Sequence, residues 1–294
     1  ILADDVGYGD LSCYGATKIK TPNLDRLAAQ GMRFTDAHAP SSVCTPTRYG
    51  LLTGRYCWRT KLHPERRVSV LHPDEPLLID TQRMTLASLL KGRGYRTAAI
   101  GKWHLGYGSA PKVDWNRPLS PGPLELGFDY HFGVPSNHND PLRAYVENHD
   151  LVGRRPGEDF RIVNGKPFPE GLAKPRVDDQ VDTTLTAKAI HFIEKNQQQP
   201  FFLYFTPVAT HNYVVPAARF RGTSQAGIYG DYMQELDHHV GQIMETLDRL
   251  KLADRTLVIF TSDNGSYAGT VKPPKGVELK LADDSDAVRK EFLA

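Results

Sequence analysis

Cysteine is scarce in this chain of 294 residues, which has three, at positions 13, 44 and 57. So few cannot form the disulfide scaffold that replaces a hydrophobic core in small secreted domains. An excess of one charge is lacking too: 36 Lys and Arg against 34 Asp and Glu leave a formal net charge of +2. Such a balance excludes general binding to nucleic acid or to an anionic membrane surface, so any cationic focus must be local. No apolar run approaches the roughly 20 residues that span a bilayer, and no basic-then-apolar start reads as an export signal. No Cys/His spacing suits zinc. What remains is an ordinary globular composition, 40% hydrophobic and 24% charged. The chain is long enough for one substantial α/β domain or two small ones.

Helix and strand patterns alternate along the chain, which predicts an α/β fold with a mostly parallel sheet and helices on both faces. Ile1-Leu2-Ala3 reads as a strand end. Thr21–Gly31 has Thr at the N-cap, Pro at the first position and Gly after the last turn, the marks of a short packing helix. A strand is expected over 32–37, a charged loop over 59–80 containing His63 and His72, and a helix over 85–93 closed by Gly94. Next come a strand at 96–100 and an irregular stretch over 107–180. Val181, Leu185, Ala189 and Phe192 are spaced for a helix that Pro200 stops. Phe201–Phe205 is a continuous apolar run of the kind buried in parallel sheets. Tyr229, Met233, Leu236, Val240, Ile243, Leu247 and Leu250 recur at steps of three and four, giving a helix with one packing face; His238 and His239 flank it as solvent or packing residues. Thr256–Ser262 reads as a last buried strand.

The polar blocks fall where strands end or helices begin, the places from which α/β proteins build a ligand crevice. Cys44-Thr45-Pro46-Thr47-Arg48 combines a nucleophile-sized side chain, a residue suited to a first helical turn and a fixed cation. It places Cys44 at or just before a helix N-terminus, where free N–H groups and the helix dipole favour an anion. Asp4 and Asp5 stand at a strand end; both can reach one hard cation only if the chain bends there, which Gly7 and Gly9 would allow. Lys102 and His104 leave a strand one residue apart and in extended backbone share a face. Asp263 and Asn264 follow the last strand and add two oxygen donors, an all-oxygen set that points to calcium first and magnesium second. Taken alone, each block has a plainer reading: a buried thiol, a solvated Asp turn, a surface Lys and His.

Cys44 to Arg48, followed by Leu52-Thr53-Gly54-Arg55, resembles the signature of the formylglycine-dependent sulfatases, arylsulfatase type, in the alkaline-phosphatase-like superfamily. The other blocks occur in that family's order from Ala3 to Gly265. The resemblance implies hydrolysis of sulfate monoesters by a formylglycine hydrate made from Cys44, with catalytic Cys44, Arg48, Lys102, His104 and His211. It places the metal on Asp4, Asp5, Asp263, Asn264 and the modified Cys44. The 133–140 segment resembles the loop over the family's pocket and offers Asn137 and His138 toward substrate. Several members have serine where Asn137 aligns, and an exposed loop position is the plainer reading of His138. The resemblance further implies a sulfated small molecule or glycan as substrate, a formylglycine-generating enzyme in maturation, and export to a periplasmic, extracellular or lysosomal site. It also implies that residues 1–294 form a single N-terminal catalytic domain truncated at both ends, without the smaller C-terminal subdomain. The family's further pocket lysine is not recognisable, although Lys272 and Lys275 lie nearby. With Cys44 modified, Cys13 and Cys57 are left as a pair or as two free thiols. Two other readings stay open: a phosphonate or phosphodiester hydrolase of the same superfamily, and an inactive metal-binding relative.

Overall fold

The computed structural model describes residues 1–60, 70–140, 142–155, 157, 159, 162–163, 166–167 and 176–266. In chain order, β1 (Leu2–Ala3), α1 (Pro22–Gln30), α2 (Cys44–Thr53), α3 (Leu86–Lys91) and β2 (Arg96–Lys102) come first. β3 (Tyr130–Val134), β4 (Val146–Glu147), β5 (Asp150–Leu151), and the hairpin β6 (Ile162–Val163) and β7 (Lys166–Pro167) follow. The last elements are α4 (Val181–Lys195), β8 (Phe201–Thr206), α5 (Gly227–Arg249) and β9 (Thr261–Ser262).

The sheet centres on β2, which runs parallel to β3 on one side and β8 on the other. β4 and β5 extend it as an antiparallel edge. β1 and β9 form a parallel pair. Backbone bonds from the Asp4 N–H to Ala209 O (3.2 Å) and from the Thr210 N–H to Asp4 O (2.6 Å) join that pair to the segment leaving β8.

Side chains alternate across the central strands. Ala98, Ile100 and Phe205 pack into the layer of α4 and α5, with Val181, Leu185, Ile243 and Leu247. Ala99 and Tyr204 face the other way, toward Tyr49 and Leu52 of α2 and Ala87 of α3. Burial on both faces explains why β8 reads as continuous apolar sequence.

Several expectations change. The stretch 107–180, expected to be irregular, contains β3, which pairs with β2 over five residues in the middle of the sheet, and the edge strands β4 and β5. Residues 32–37 form no strand: Met32 and Phe34 are 79% and 62% exposed, and no strand among the described residues supplies a ladder for them. The expected strand at 256–262 shortens to Thr261–Ser262, because β1 pairs with it over two residues only. Leu257 and Ile259 accordingly lie 85% and 61% exposed. Of the two readings of His239, solvent or packing, the structure takes the second: it is fully buried, with Nε2 at 3.4 Å from Glu235 Oε1.

Carboxylates on α5 hold the loops around it. Asp237 accepts the N–H groups of Asn23 (3.2 Å) and Leu24 (2.8 Å), so this distant residue caps α1 in place of the expected Thr21. Asp231 likewise accepts from Gly222 and Ser224, both at 2.8 Å.

Candidate active site

Cys44 is the first residue of α2, Pro46 lies in its first turn, and Cys44 to Tyr49 are all buried. Four residues on and one turn down the same face, Arg48 donates from Nε (3.0 Å) and Nη2 (2.8 Å) to Asp263 Oδ2 and from Nη1 to Lys102 O (2.8 Å). Lys102 Nζ lies 2.8 Å from both oxygens of Asp4. Asp263 Oδ1 accepts the Asp5 N–H at 3.3 Å, and Asn264 Nδ2 donates to Asp5 Oδ1 at 2.5 Å. One potential ligand atom each from Asp4, Asp5 and Cys44 falls within 4.8 Å of the others. Residues more than 200 positions apart in sequence thus meet at the ends of β1, β2 and β9 and the start of α2.

The bend that brings Asp4 and Asp5 together is made by Asp5 itself, at φ 57°; Gly7 is extended, at φ −83°. His104 also adopts left-handed backbone, at φ 55°, so its placement relative to Lys102 is not simple strand alternation. A non-glycine residue held there costs on the order of 1–3 kcal/mol, and such residues gather at functional sites. Gly101 meets a stricter demand: at φ 125°, a Cβ would lie 1.9 Å from Thr206 O.

Three histidines border this cluster. The carbonyl of Leu71 lies 3.0 Å from His104 Nε2 and fixes the proton there, leaving the Nδ1 lone pair buried without a partner among the described residues. Thr45 holds the same corner, donating to His104 O and accepting from the Leu71 N–H, both at 3.1 Å. His211 donates from Nδ1 to Asn212 O at 2.5 Å, which leaves Nε2 as its acceptor. His138 is 1% exposed, against the expected exposed loop position. It donates from Nε2 to Tyr213 O at 2.6 Å, and its ring centroid is 6.0 Å from that of His211. Burial first, then the charges of Lys102 and Arg48, hold His104 neutral, well below the ordinary imidazole range. Burial and then Lys102 push His211 down to about 3.

Asn137 keeps its side-chain oxygen buried and without a partner among the described residues. Its carbonyl accepts from Arg176 Nη2 at 3.1 Å, and the same nitrogen reaches Asp140 Oδ1 at 3.0 Å. Asp140 closes the 133–140 segment without having been given a role, and Arg176 escaped the sequence reading because it lies in the irregular stretch, with no motif or periodicity to mark it. His72 is exposed, as expected. His63, Lys272 and Lys275 lie outside the described residues. Cys13 and Cys57 are free thiols.

Charge explains what the cluster is suited to hold. Among the described residues, Asp4, Asp5 and Asp263 face the cations of Arg48 and Lys102, all buried. Burial first, then Asp4, raises the Asp5 carboxyl to about 6 and raises that of Asp263 as well. Asn264 Oδ1 is buried with no partner among the described residues. Three crowded carboxylates and an orphaned amide oxygen, with no soft ligand besides Cys44 among the described residues, fit a hard divalent cation. Burial also pushes the Cys44 thiol up to about 12, more strongly than Lys102 pulls it down. At neutral pH the unmodified side chain is a thiol, a poor nucleophile.

A mostly parallel sheet with helices on both faces, and buried carboxylates and cations gathered at its strand ends, is the arrangement of the alkaline-phosphatase-like fold. The Sulfatase family profile matches residues 1–287, and the chain belongs to the sulfatase family. It is 40% identical to the N-acetylgalactosamine-6-O-sulfatase of Bacteroides thetaiotaomicron, over 90% of this chain and 58% of that protein. Human arylsulfatase A is 38% identical over 90% of this chain and 51% of its own length. The chain thus spans little more than half the length of these curated relatives. A solved sulfatase structure from work on glycosaminoglycan metabolism by Bacteroides thetaiotaomicron superposes with a TM-score of 0.83 at 38% identity, covering 90% of this chain and 62% of that one. The phosphonate monoester hydrolase of Agrobacterium radiobacter shares the fold at a TM-score of 0.57 and 19% identity, over 90% of this chain and 62% of its own. Among the described residues no helix is long and apolar enough to cross a membrane.

Proposed function

We propose that the protein hydrolyses sulfate monoesters of a glycan, with residue 44 as nucleophile after oxidation of its thiol to formylglycine. The observation that carries this reading is the convergence of Cys44, at a buried helix N-terminus, with three carboxylates, two cations and two neutral histidines. In the modified state, residue 44 would present an aldehyde hydrate with two hydroxyls: one to attack sulfur, one to expel sulfate afterwards. Asp4, Asp5, Asp263, Asn264 and residue 44 would hold a divalent cation, calcium first and magnesium second, which supplies Lewis-acid charge at the sulfate oxygens.

Lys102 and Arg48 add fixed positive charge to the same wall and counter the negative charge of the ester group. His211 is the proton donor to the leaving alcohol as the S–O bond breaks. It is neutral in the free protein, so the anionic ester must raise its proton affinity on binding. His104, with a free Nδ1 lone pair, takes the proton from the second hydroxyl. Asn137 and His138 are the substrate contacts from the overlying loop. Oxidation of Cys44 requires a formylglycine-generating enzyme during maturation, and we place the mature protein in an exported or lysosomal compartment.

The N-acetylgalactosamine-6-sulfatases among the relatives favour a 6-O-sulfated N-acetylhexosamine within a glycan as substrate. Protein made together with the modifying enzyme, with the aldehyde on the Cys44 peptide verified by tandem mass spectrometry, tests the reading. Aryl sulfate and 6-sulfated N-acetylgalactosamine should be hydrolysed at least about a hundredfold faster than an aryl phosphodiester. Preference for the phosphodiester would move the protein to the phosphorus-ester branch. An aldehyde-bearing protein that binds calcium but cleaves none of the three esters would be the inactive relative.

Calcium affinity should depend on pH in a definite direction. Asp5 must lose its proton to bind the cation, and burial raises its carboxyl to about 6. Affinity should therefore be flat above about pH 7 and fall by up to about tenfold per pH unit below 6. Calorimetric calcium titrations of metal-stripped protein across that range check it; a constant affinity down to about pH 4.5 would remove Asp5 from the ligand set.

A further inference from the structure

Asp182, in the first turn of α4, is 3% exposed and takes part in none of the steps above. Its two oxygens accept the N–H groups of Val208 at 2.8 Å and Ala209 at 3.0 Å, the residues that carry the chain away from β8. The Tyr232 hydroxyl stands 3.5 Å from Oδ2. On its other side the same short segment holds site residues. The Asp4 N–H donates to Ala209 O, the Thr210 N–H donates to Asp4 O, and the His211 N–H donates to Val208 O at 3.0 Å.

We propose that Asp182 is a positioning residue that sets Asp4 and His211 in register by clamping the two peptide groups between them. The proposal rests on the reading of the protein as a sulfate-ester hydrolase. Two adjacent N–H groups demand two acceptor oxygens, which a carboxylate supplies and a carboxamide does not. Ionised acceptors also make the shorter and stronger bonds to backbone N–H. Burial raises the Asp182 carboxyl to about 6, His239 of α5 pulls it down and Glu235 of α5 pushes it up, so it is ionised at neutral pH.

The fold contains its own control. Asp231 is equally buried, at 3%, and clamps the N–H groups of Gly222 and Ser224, both at 2.8 Å. That segment carries no residue of the site. Asp182→Asn and Asp231→Asn therefore remove the same chemistry at two places, and comparing them separates positioning from stability.

Both variants should melt earlier than the wild-type protein. Only D182N should lose kcat toward aryl sulfate, by roughly 30- to 100-fold with KM changed less than about threefold, the consequence of misplacing a proton donor by a fraction of an ångström. Its calcium dissociation constant should rise about tenfold through Asp4, and its kcat loss should not multiply with that of His211→Ala. Equal kcat for D182N and D231N, or multiplying losses with H211A, would overturn the proposal. Asp182→Ser, which keeps one acceptor in a smaller side chain, serves if D182N does not fold; failure of both where D231N folds would make Asp182 a folding residue and equally overturn it. An unreactive wild-type protein would instead sink the hydrolase reading, and the calcium titration would still judge Asp182.

Discussion

Cys44→Ser should convert the protein into a reagent that reacts once. Serine places a hydroxyl at the start of α2, where the helix N-terminus, Arg48 and Lys102 all favour an anion. Attack on sulfur and release of one equivalent of alcohol can therefore proceed. What serine lacks is a second hydroxyl on the same carbon, so the deprotonation proposed for His104 would have no bond to collapse and the sulfate should stay on the side chain. The expected record is a burst of about one alcohol per site, then steady-state turnover reduced by roughly 10⁴-fold or more, the scale on which loss of a nucleophile is felt. Wild-type protein prepared without the modifying enzyme should show neither burst nor turnover, since burial pushes its thiol up to about 12 and leaves no thiolate. Sustained wild-type turnover by the serine variant would show that a single hydroxyl suffices and that the aldehyde hydrate is not the catalyst.

These expectations were accessible because the chemistry sits in short local blocks. Cys44 and Arg48 lie one turn apart on one helix, and Asp263-Asn264 directly follow a strand; each block reads without knowledge of the whole. The buried sheet was legible for a related reason: strands covered on both faces must be apolar throughout, as Phe201–Phe205 is. What could not be read were arrangements made by distant partners. The bend at Asp4-Asp5 is absorbed by Asp5 in left-handed backbone, a conformation stabilised by Asp263 and Asn264 more than 250 residues away. His138 looked like an exposed loop residue because its burial comes from the 211–213 segment, which meets it only in the fold. No motif or periodicity marks Asp182, in the first turn of α4, or Asp237, on α5. Their partners are backbone N–H groups, which carry no signature in the side-chain sequence.

Arg48→Met should be the most destabilising substitution at the site, and calcium should repair part of the damage. Arg48 is wholly buried and supplies two bonds to Asp263 and one to Lys102 O, with Asp4 Oδ1 at 3.6 Å from Nη2. Methionine fills much of the volume and removes the charge, leaving Asp263 as a buried carboxylate without its cation. Breaking a buried pair from one side costs about 3–5 kcal/mol, on the order of 10 °C in melting temperature for a domain of this size. The sign of the pH dependence follows from Asp263, whose carboxyl burial and Asp4 already raise and Arg48 holds down. Without Arg48 its folded-state pKa climbs further above the unfolded value. The native form then binds more protons than the unfolded chain, so the added instability grows as pH rises through that window. The deficit should be small near about pH 4 and largest at neutral pH. A divalent cation on Asp4, Asp5, Asp263 and Asn264 replaces the missing positive charge, so saturating calcium should reduce the deficit at neutral pH. It should not restore turnover if Arg48 also counters charge on the ester, the role proposed for it. Melting curves of R48M and wild type in chelator and in calcium, at both pH values, measure each part. A deficit that ignores both pH and calcium would mean that Arg48 acts through packing and that Asp263 carries no charge needing compensation.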